Sequence, residues 1–274
     1  MSAAVGELLT GPMLRSALSF PDATCERLYA AAKRKPWSVD SDIDWDRMRL
    51  GRLAPSIRRA MAEVYVQICH GEVTGLVLTS RAVDRTPHLW AKLFGATQIA
   101  DEARHVEFFS RVIAELDQVA PVHGATTAFA ESLSSCAEPE EVLLGVQVIL
   151  ETFAQAIFSE GAKLGKQAAA TAIRMPGFED AKYFLASLAD YVGKDEARHV
   201  AFGVAYVRLC WADMSSARRD ALQLKAEAWM QMLGDLIGAT SGPMARLGVQ
   251  ENALRDRVVR ACHAHFRLIG LEGY

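Results

Sequence analysis

The chain has 274 residues, 51% of them hydrophobic, and a formal net charge of −3 at pH 7. This length can bury a large core, the lack of a basic tract argues against a nucleic-acid partner, and charges interrupt each apolar stretch before it reaches the length of a membrane span. The N-terminus lacks a basic region followed by a continuous apolar run, and the five scattered cysteines form no CxxC motif. We therefore expect a cytoplasmic protein with reduced thiols and no rubredoxin-type or zinc-ribbon site.

The residues before Pro55 are mixed in character and predict an irregular lead-in with short helices. From Pro55 the apolar residues recur every three or four positions, which predicts a helix over residues 55–84. Its inward stripe comprises Met61, Tyr65, Ile68, Glu72, Leu76 and Thr79. Thr86 and Pro87 are typical of a helix start, so a second helix is predicted over residues 87–117.

Pro121, His123 and Gly124 indicate a loop, and a third helix begins at Pro139, where acidic residues follow. It is predicted to end near residue 174, and a fourth helix covers about 179–213. Two more helices are predicted over about 216–237 and 250–268, and no segment has a convincing strand pattern. The sequence therefore predicts an all-α fold: a lead-in over residues 1–54, a helical bundle over 55–213, and C-terminal helices over 214–274 in the same domain.

The pentapeptide Asp-Glu-Ala-Arg-His occurs twice, at residues 101–105 and 195–199. Each copy contains a Glu-x-x-His pair, Glu102 with His105 and Glu196 with His199. Residues three apart on a helix share one face, so each pair can bind the same metal ion. The repeat therefore predicts two metal-binding helices.

Two further glutamates stand in apolar surroundings. Glu72 is the acidic residue on the inward stripe of the first helix, and Glu151 lies within the apolar run 146–154. A buried ionised carboxylate is costly unless it is paired or bound to a metal. The candidate metal ligands are therefore Glu72, Glu102, His105, Glu151, Glu196 and His199.

With this ligand set the chain resembles the ferritin-like non-haem di-iron carboxylate superfamily, which includes ribonucleotide reductase small subunits and di-iron oxygenases. The resemblance covers about residues 55–213. It implies a ferritin-like four-helix bundle with additional N- and C-terminal helices, two iron ions (or a Mn/Fe pair) and O2 as co-substrate. The implied activity is that of an oxidase or oxygenase acting on a small organic substrate through a peroxo or high-valent di-iron intermediate.

The partners expected for such an enzyme are limited. No flavin, NAD or iron–sulfur motif is visible, so electrons would come from an external ferredoxin or reductase, and the chain could form a homodimer. The alternative function is ferroxidase or peroxide-scavenging iron handling without an organic substrate. Against that alternative, the flanking segments make the chain much longer than a bacterioferritin.

The resemblance also assigns roles around the ligands. In similar enzymes the aspartate of one motif holds the histidine of the other, which assigns Asp195 to His105 and Asp101 to His199. Arg104 and Arg198 lie three residues after these aspartates and can pair with them. Simple surface salt bridges are the alternative interpretation of these four residues.

Other residues are candidates for the pocket. Gln98, Gln147 and Gln155 lie one helical turn from ligands, where they can bind carboxylates or substrate, or form hydrogen bonds between helices without a chemical role. Phe109, Phe158 and Phe202 can line an apolar cavity, with ordinary core packing as the alternative.

Four positions depart from named subgroups of the superfamily. Phe109 stands where ribonucleotide reductase small subunits carry their radical tyrosine, and Val146 where R2-like oxidases carry a tyrosine. Gln155 replaces the threonine of multicomponent hydroxylases, and Val192 replaces the extra histidine of arylamine N-oxygenases. These departures argue against radical storage at residue 109 and leave the subgroup open.

Overall fold

The computed structural model describes residues 21, 23–34, 36–170, 178–271 and 273, with the backbone alone for residues 164–170 and 178–181. Every regular element within these residues is helical, which confirms the all-α prediction. The helices are, in chain order, α1 (Ala23–Arg34), α2 (Trp45–Met48), a 3-10 turn (Leu50–Arg52), α3 (Pro55–Arg85), α4 (Leu89–Leu116), α5 (Gly124–Ser134), α6 (Pro139–Leu143), a π-helical segment (Leu144–Leu150), α7 (Glu151–Ala170), α8 (Phe178–Asp190), α9 (Val192–Asp213), α10 (Ser216–Ala239), α11 (Ser241–Arg246) and α12 (Glu251–Ile269).

Four long helical segments, called rods below, form the central bundle. They are α3, α4, the π-helical segment together with α7, and α9. Helix α3 packs along α4, and α9 packs against the π-helical segment and α7. Contacts between α4 and α9, and between α3 and the π-helical segment, close the bundle. Pro55 occupies the first turn of α3 and Pro139 that of α6, where a missing backbone N–H leaves no hydrogen bond unmade.

The remaining helices cover the bundle on several sides. Helix α1 packs on α4 and α9, α10 on α5 and the π-helical segment, α11 on α3, and α12 on α7 and α9. The lead-in and the C-terminal helices therefore share a core with the four rods, and buried residues from both flanks belong to it.

The predicted third helix is not a uniform α-helix. Residues Leu144–Leu150 adopt a π-helical conformation immediately before Glu151, and side chains throughout this segment are buried apart from the partly exposed Leu150. Such wide turns shift the phase of the residues that follow and are common at functional sites. The predicted end of this helix near residue 174 lies outside the described residues.

The predicted fourth helix, over residues 179–213, is divided. Helices α8 and α9 are separated at Tyr191, whose backbone has φ −105° and ψ −77°. The Tyr191 hydroxyl donates to the carbonyl of Asp42 at 3.2 Å, and its ring packs on Trp37 with centroids 5.2 Å apart. Tertiary contacts with the lead-in thus accompany the break, and a periodic sequence pattern does not reveal them.

Helix α5 was not predicted, because its periodic signal is short. Its 11 residues bury only Thr126, Phe129 and Leu133. The short helix α11 was missed for the same reason, since Met244 is its one buried residue.

The stretch Pro139–Lys163 is long and apolar enough to cross a membrane by length and composition. Within the fold, however, 78% of its most apolar window is buried. Its side chains pack in the bundle, as those of a central core helix do.

Candidate metal centre

Each bundle rod brings ligand-type side chains to one buried space at its middle. Helix α3 contributes Glu72, α4 contributes Glu102 and His105, α7 begins at Glu151, and α9 contributes Glu196 and His199. None of the six is more than 6% exposed. The structure therefore brings together all of the residues that the sequence nominated as metal ligands.

Their donor atoms form two overlapping groups. Atoms of Glu72, Glu102 and His105 lie within 4.8 Å of one another, and so do atoms of Glu102, Glu151 and His199. His105 Nδ1 lies 3.2 Å from an oxygen of Glu72 and 3.2 Å from an oxygen of Glu196. His199 Nδ1 lies 3.5 Å from Glu102 and 3.6 Å from Glu151. Two ligands about 2.1 Å from one ion sit about 3 Å apart at a right angle, so these spacings suit two adjacent ions.

Several atoms in this space have no hydrogen-bond partner within the described part of the chain. They are both carboxylate oxygens of Glu196, Oε2 of Glu151 and Nδ1 of His199. Buried acceptors without a partner are costly, and divalent cations satisfy carboxylate and imidazole acceptors together. The unpaired atoms and the donor types therefore fit a pair of metal ions.

Burial and mutual contacts shift the pKa values of the clustered groups in different directions. Burial raises the pKa of Glu72 well above its ordinary range, with repulsion from Glu196 adding to it, and burial likewise raises the pKa of Glu151. Burial works in the same direction on Glu102, but contacts with His105 and His199 outweigh it and lower its pKa. Burial opposes charging of His105 and His199, yet the surrounding carboxylates raise both pKa values. Cations at this position would compete with protons for the same carboxylate and imidazole atoms.

The motif aspartates contact the histidines in a crossed arrangement. His105 Nε2 lies 3.3 Å from Asp195 Oδ2, and His199 Nε2 lies 3.1 Å from Asp101 Oδ2. With Nε2 donating its hydrogen bond to the aspartate, Nδ1 is the ring nitrogen that faces the carboxylates and is placed to bind a metal ion. Each aspartate thereby fixes the tautomer and orientation of the histidine in the other motif.

The motif arginines connect the two aspartates. Arg104 pairs with Asp101 and lies 3.7 Å from Asp195, while Arg198 pairs with Asp195 and lies 3.2 Å from Asp101. The two guanidinium groups balance the charge of the two carboxylates. These two aspartates and two arginines form a layer beside the histidines. The side chains of Arg104 and Arg198 are 18% and 19% exposed and lie at its outer edge, whereas the aspartates they bind are buried.

Trp37 belongs to this layer and was not singled out from the sequence. Its indole Nε1 donates to Asp195, and its ring lies over His105 with centroids 6.2 Å apart. A lone tryptophan after Pro36 in an irregular segment carries no spacing that relates it to residue 195. Only the packing of the lead-in on α4 and α9 brings it there.

Of the three candidate glutamines, Gln98 binds the ligand carboxylates and Gln147 binds Gln98. Gln98 Nε2 donates to Glu102 Oε1 at 3.1 Å and to Glu151 Oε1 at 2.9 Å. The carbonyl of Gln98 accepts a hydrogen bond from the amide of Gln147. Gln155 takes no part in this network, and its buried Nε2 has no hydrogen-bond partner in the residues that the structure describes.

A cavity of about 50 Å3 reaches the ligand glutamates. The four ligand glutamates line its inner end. Helices α3, α5, α7, α10 and α11 and the π-helical segment form its walls, and no lysine or arginine is among the described lining residues. Apolar wall residues include Phe129, Leu133, Val146, Phe153, Ile157 and Leu236.

The six residues nominated for a pocket lie elsewhere. Phe109 packs between Tyr65 and Phe158, with centroids 5.8 Å and 6.1 Å away. Gln147 and Phe202 line a separate, smaller cavity. One wall of the cavity is α5, which was not predicted from the sequence. Its apolar residues at three- and four-residue spacing are the signal that could have indicated it.

Comparisons of the whole chain with known proteins give matches in structure alone. No protein-family profile matches the chain, and no curated protein matches it in sequence. An R2-like ligand-binding oxidase with an aerobically reconstituted Mn/Fe cofactor superposes with a TM-score of 0.68 at 18% identity, covering 96% of this chain and 98% of that chain. A variant of that oxidase with the same cofactor superposes with a TM-score of 0.68 at 19% identity and the same coverage. The chain therefore has the ferritin-like helical-bundle fold that R2-like ligand-binding oxidases adopt.

Proposed function

We propose that this chain is an O2-dependent oxidase or oxygenase with a di-metal centre and a small, largely apolar organic substrate. Glu72, Glu102, His105, Glu151, Glu196 and His199 would hold the two ions. The observation that carries the proposal is the apolar cavity that reaches all four of these glutamates. Apolar cavities with a few convergent polar groups are typical small-molecule sites, and this one would place its occupant beside the proposed ions.

The donor set suits either an Fe/Fe or a Mn/Fe pair. Carboxylate and imidazole ligands accept both metals, and the R2-like oxidases of the same fold were reconstituted with Mn/Fe. When bound, such a pair supplies the binding and reduction of O2. Four glutamates balance two divalent ions, so the loaded centre carries no formal net charge.

The protein's own residues orient the ligands and exclude water. Asp101 and Asp195 contact Nε2 of the two histidines and so direct Nδ1 toward the proposed ions, and the charges of the aspartates are balanced by Arg104 and Arg198. The cavity wall offers a substrate apolar contacts and no cation, which favours a neutral hydrocarbon or aromatic molecule. Electrons for turnover would come from an external ferredoxin or reductase.

Iron handling without an organic substrate is the alternative, and the cavity weighs against it. An ion path is expected to have polar walls, whereas this approach to the glutamates is apolar. The two functions are separated by loading the metal-free protein anaerobically with ferrous iron, adding O2, and counting the iron that each chain retains. An oxygenase retains about two ferric ions per chain. Uptake of tens of irons per chain would overturn the proposal.

The proposed binding of an organic substrate in the cavity is tested with a matched pair of variants on α5. Ala130 lines the cavity, whereas Ala125 on the same helix does not, and both are partly exposed. Ala130→Trp should abolish the response of O2 consumption to a small aromatic probe such as toluene, because it fills the cavity. Ala125→Trp should retain that response. Equal behaviour of the two variants would contradict a substrate in this cavity.

A further inference from the structure

Gln98 and Gln147 form a buried amide pair beside the ligand glutamates. Both side chains are fully buried, at 0% exposure. Gln98 lies four residues before Glu102 on α4, and Gln147 lies four residues before Glu151 in the π-helical segment. The amide nitrogen of Gln98 has two hydrogens, and it contacts one oxygen of Glu102 and one oxygen of Glu151.

Gln147 determines which end of the Gln98 amide faces the carboxylates. An amide can turn over and exchange its oxygen and nitrogen, and the surrounding hydrogen bonds decide between the two orientations. Because the Gln147 amide donates to Gln98 Oε1, the nitrogen of Gln98 faces Glu102 and Glu151. The reversed orientation would place a carbonyl oxygen against two carboxylate oxygens, which repel it.

Gly203 on α9 provides the space for Gln147. A Cβ atom at residue 203 would lie 2.7 Å from Cβ and 2.9 Å from Oε1 of Gln147. Neither separation is compatible with normal packing, so a side chain here would displace Gln147. The position of the amide pair therefore depends on three rods of the bundle.

The pair does not support all four glutamates. Glu72 contacts His105 instead, and both oxygens of Glu196 lack a hydrogen-bond partner among the described residues. In the donor group of Glu72, Glu102 and His105, one carboxylate bonds to Gln98. In the donor group of Glu102, Glu151 and His199, two carboxylates do.

We propose that Gln98, held in one orientation by Gln147, is a positioning residue that makes the two metal positions unequal. It fixes one oxygen each of Glu102 and Glu151, so the ion beside His199 is bound more tightly than the ion beside His105. This inference rests on the proposed metal centre, which it extends by distinguishing its two positions. Partners of metal ligands commonly change metal affinity about 10–100-fold, so the effect is measurable.

The test uses Co2+ as a probe that requires no O2 chemistry. Metal-free wild-type protein and the variants Gln98→Leu, Gln147→Leu and the double variant are titrated with Co2+ by calorimetry, and the visible absorption of bound Co2+ reports the ligand geometry. Gln67→Leu is the matched control. Gln67 is also a buried glutamine, 6% exposed, but it bonds to Thr126 and to backbone groups of residues 63, 121 and 123.

The wild type should bind two Co2+ ions in two resolved steps. Gln98→Leu should weaken the tighter step about 10–100-fold and change its absorption spectrum, with a smaller effect on the other step. Gln147→Leu should weaken the same step, and the double variant should be no weaker than Gln98→Leu alone, because Gln147 acts through Gln98. Gln67→Leu should keep both affinities even if it lowers the melting temperature.

Each contrary result overturns the inference. Unchanged affinities in Gln98→Leu, additive effects in the double variant, or an equal loss in Gln67→Leu would show that the amide pair does not position the ligands. Equal affinity of the wild-type protein for both ions would contradict the proposed difference between the two metal positions. If Gln98→Leu does not fold, Gly203→Ala must produce the selective weakening by displacing Gln147. A wild-type protein that binds fewer than two ions would overturn the metal centre itself.

Discussion

Trp37 donates a 2.7 Å hydrogen bond from its indole nitrogen to Asp195, a residue 158 positions further along the chain. The bond joins the lead-in to the layer that orients His105. Substitution Trp37→Phe keeps an aromatic ring but leaves a buried carboxylate oxygen with one donor fewer. We expect unfolding free energy to fall by about 1–3 kcal/mol, measured by urea titration of the metal-free protein.

Trp90→Phe is the control for this substitution. Trp90 is equally buried, at 7% exposure, but packs against Phe202 and Tyr206 rather than an aspartate. Trp90→Phe should therefore lower the unfolding free energy clearly less than Trp37→Phe does. Equal losses from the two variants would mean that ring volume, and not the bond to Asp195, accounts for the effect.

The crossed aspartates predict separable effects on the two histidines. Asp195→Asn should weaken metal binding through His105, and Asp101→Asn through His199, each by about 10–100-fold. An asparagine can present its NH2 group to the ring nitrogen and thereby favour the wrong tautomer. Co2+ titration with visible spectroscopy should show a different binding step affected in each variant. Loss of the same step in both would contradict the crossed assignment.

Metal binding should stabilise the protein more as pH rises. The pKa values of Glu72 and Glu151 are raised in the folded, metal-free state, chiefly by burial. Stability that depends on their protonated forms is present at low pH and is lost as pH rises through the raised pKa values. Divalent ions replace those protons, so the gain in melting temperature on adding Mn2+ should increase with pH.

Glu151→Gln tests this explanation. The variant removes one of the two carboxylates with raised pKa and one candidate ligand. Both the metal-induced gain in melting temperature and its dependence on pH should shrink. An unchanged gain, with two ions still bound, would exclude Glu151 from the centre.

A separate pH effect is expected at Glu141. This buried residue, 3% exposed, pairs with Arg218 and Lys225 at 2.8 Å each, tying α6 to α10. Burial acts to raise its pKa, but Lys225 and Arg218 outweigh burial and hold the pKa below the ordinary value of 4.5. The stabilisation is therefore present above pH 4.5 and is lost as pH falls through the lowered pKa.

Glu141→Gln should lower the free energy of unfolding by about 1–3 kcal/mol at pH 7, and by less near pH 3. Urea titrations at the two pH values provide the comparison. Asp190→Asn is the control, because Asp190 pairs with Lys194 on the surface, where both side chains are about two-thirds exposed. Such pairs contribute about 0–1 kcal/mol. An equal loss at both pH values for Glu141→Gln would contradict an ionic origin.

The sequence was sufficient to predict the helical architecture and the residues that meet at its centre. A repeated pentapeptide and two isolated glutamates in apolar runs are local signals, so Glu72 and Glu151 could be nominated without knowledge of the packing. Pro55 marks the start of α3 as predicted, whereas the predicted start of the second helix at Thr86-Pro87 is wrong: Thr86 is the C-cap of α3, and α4 begins at Leu89 after the N-cap His88.

Features that depend on contacts between distant segments could not be predicted. The division at Tyr191 coincides with contacts to Asp42 and Trp37, and the role of Trp37 depends on the docking of α1. The six nominated pocket residues do not line this cavity, because α5 supplies one of its walls, and three buried positions in 11 residues carry little periodic signal. Aromatic residues near the ligands in sequence, such as Phe109, are instead used for packing.

The cavity is built by two kinds of helix. Helices α3 and α7 carry ligands as well as wall, whereas α5, α10 and α11 contribute wall residues and none of the six candidate ligands. Replacements on α5, at Phe129 or Leu133, therefore alter the volume in which a molecule sits while leaving every candidate ligand in place. For the proposed enzyme we therefore expect selectivity for the molecule and affinity for the ions to be separable, so that changes on α5 would alter the substrate range without altering metal binding.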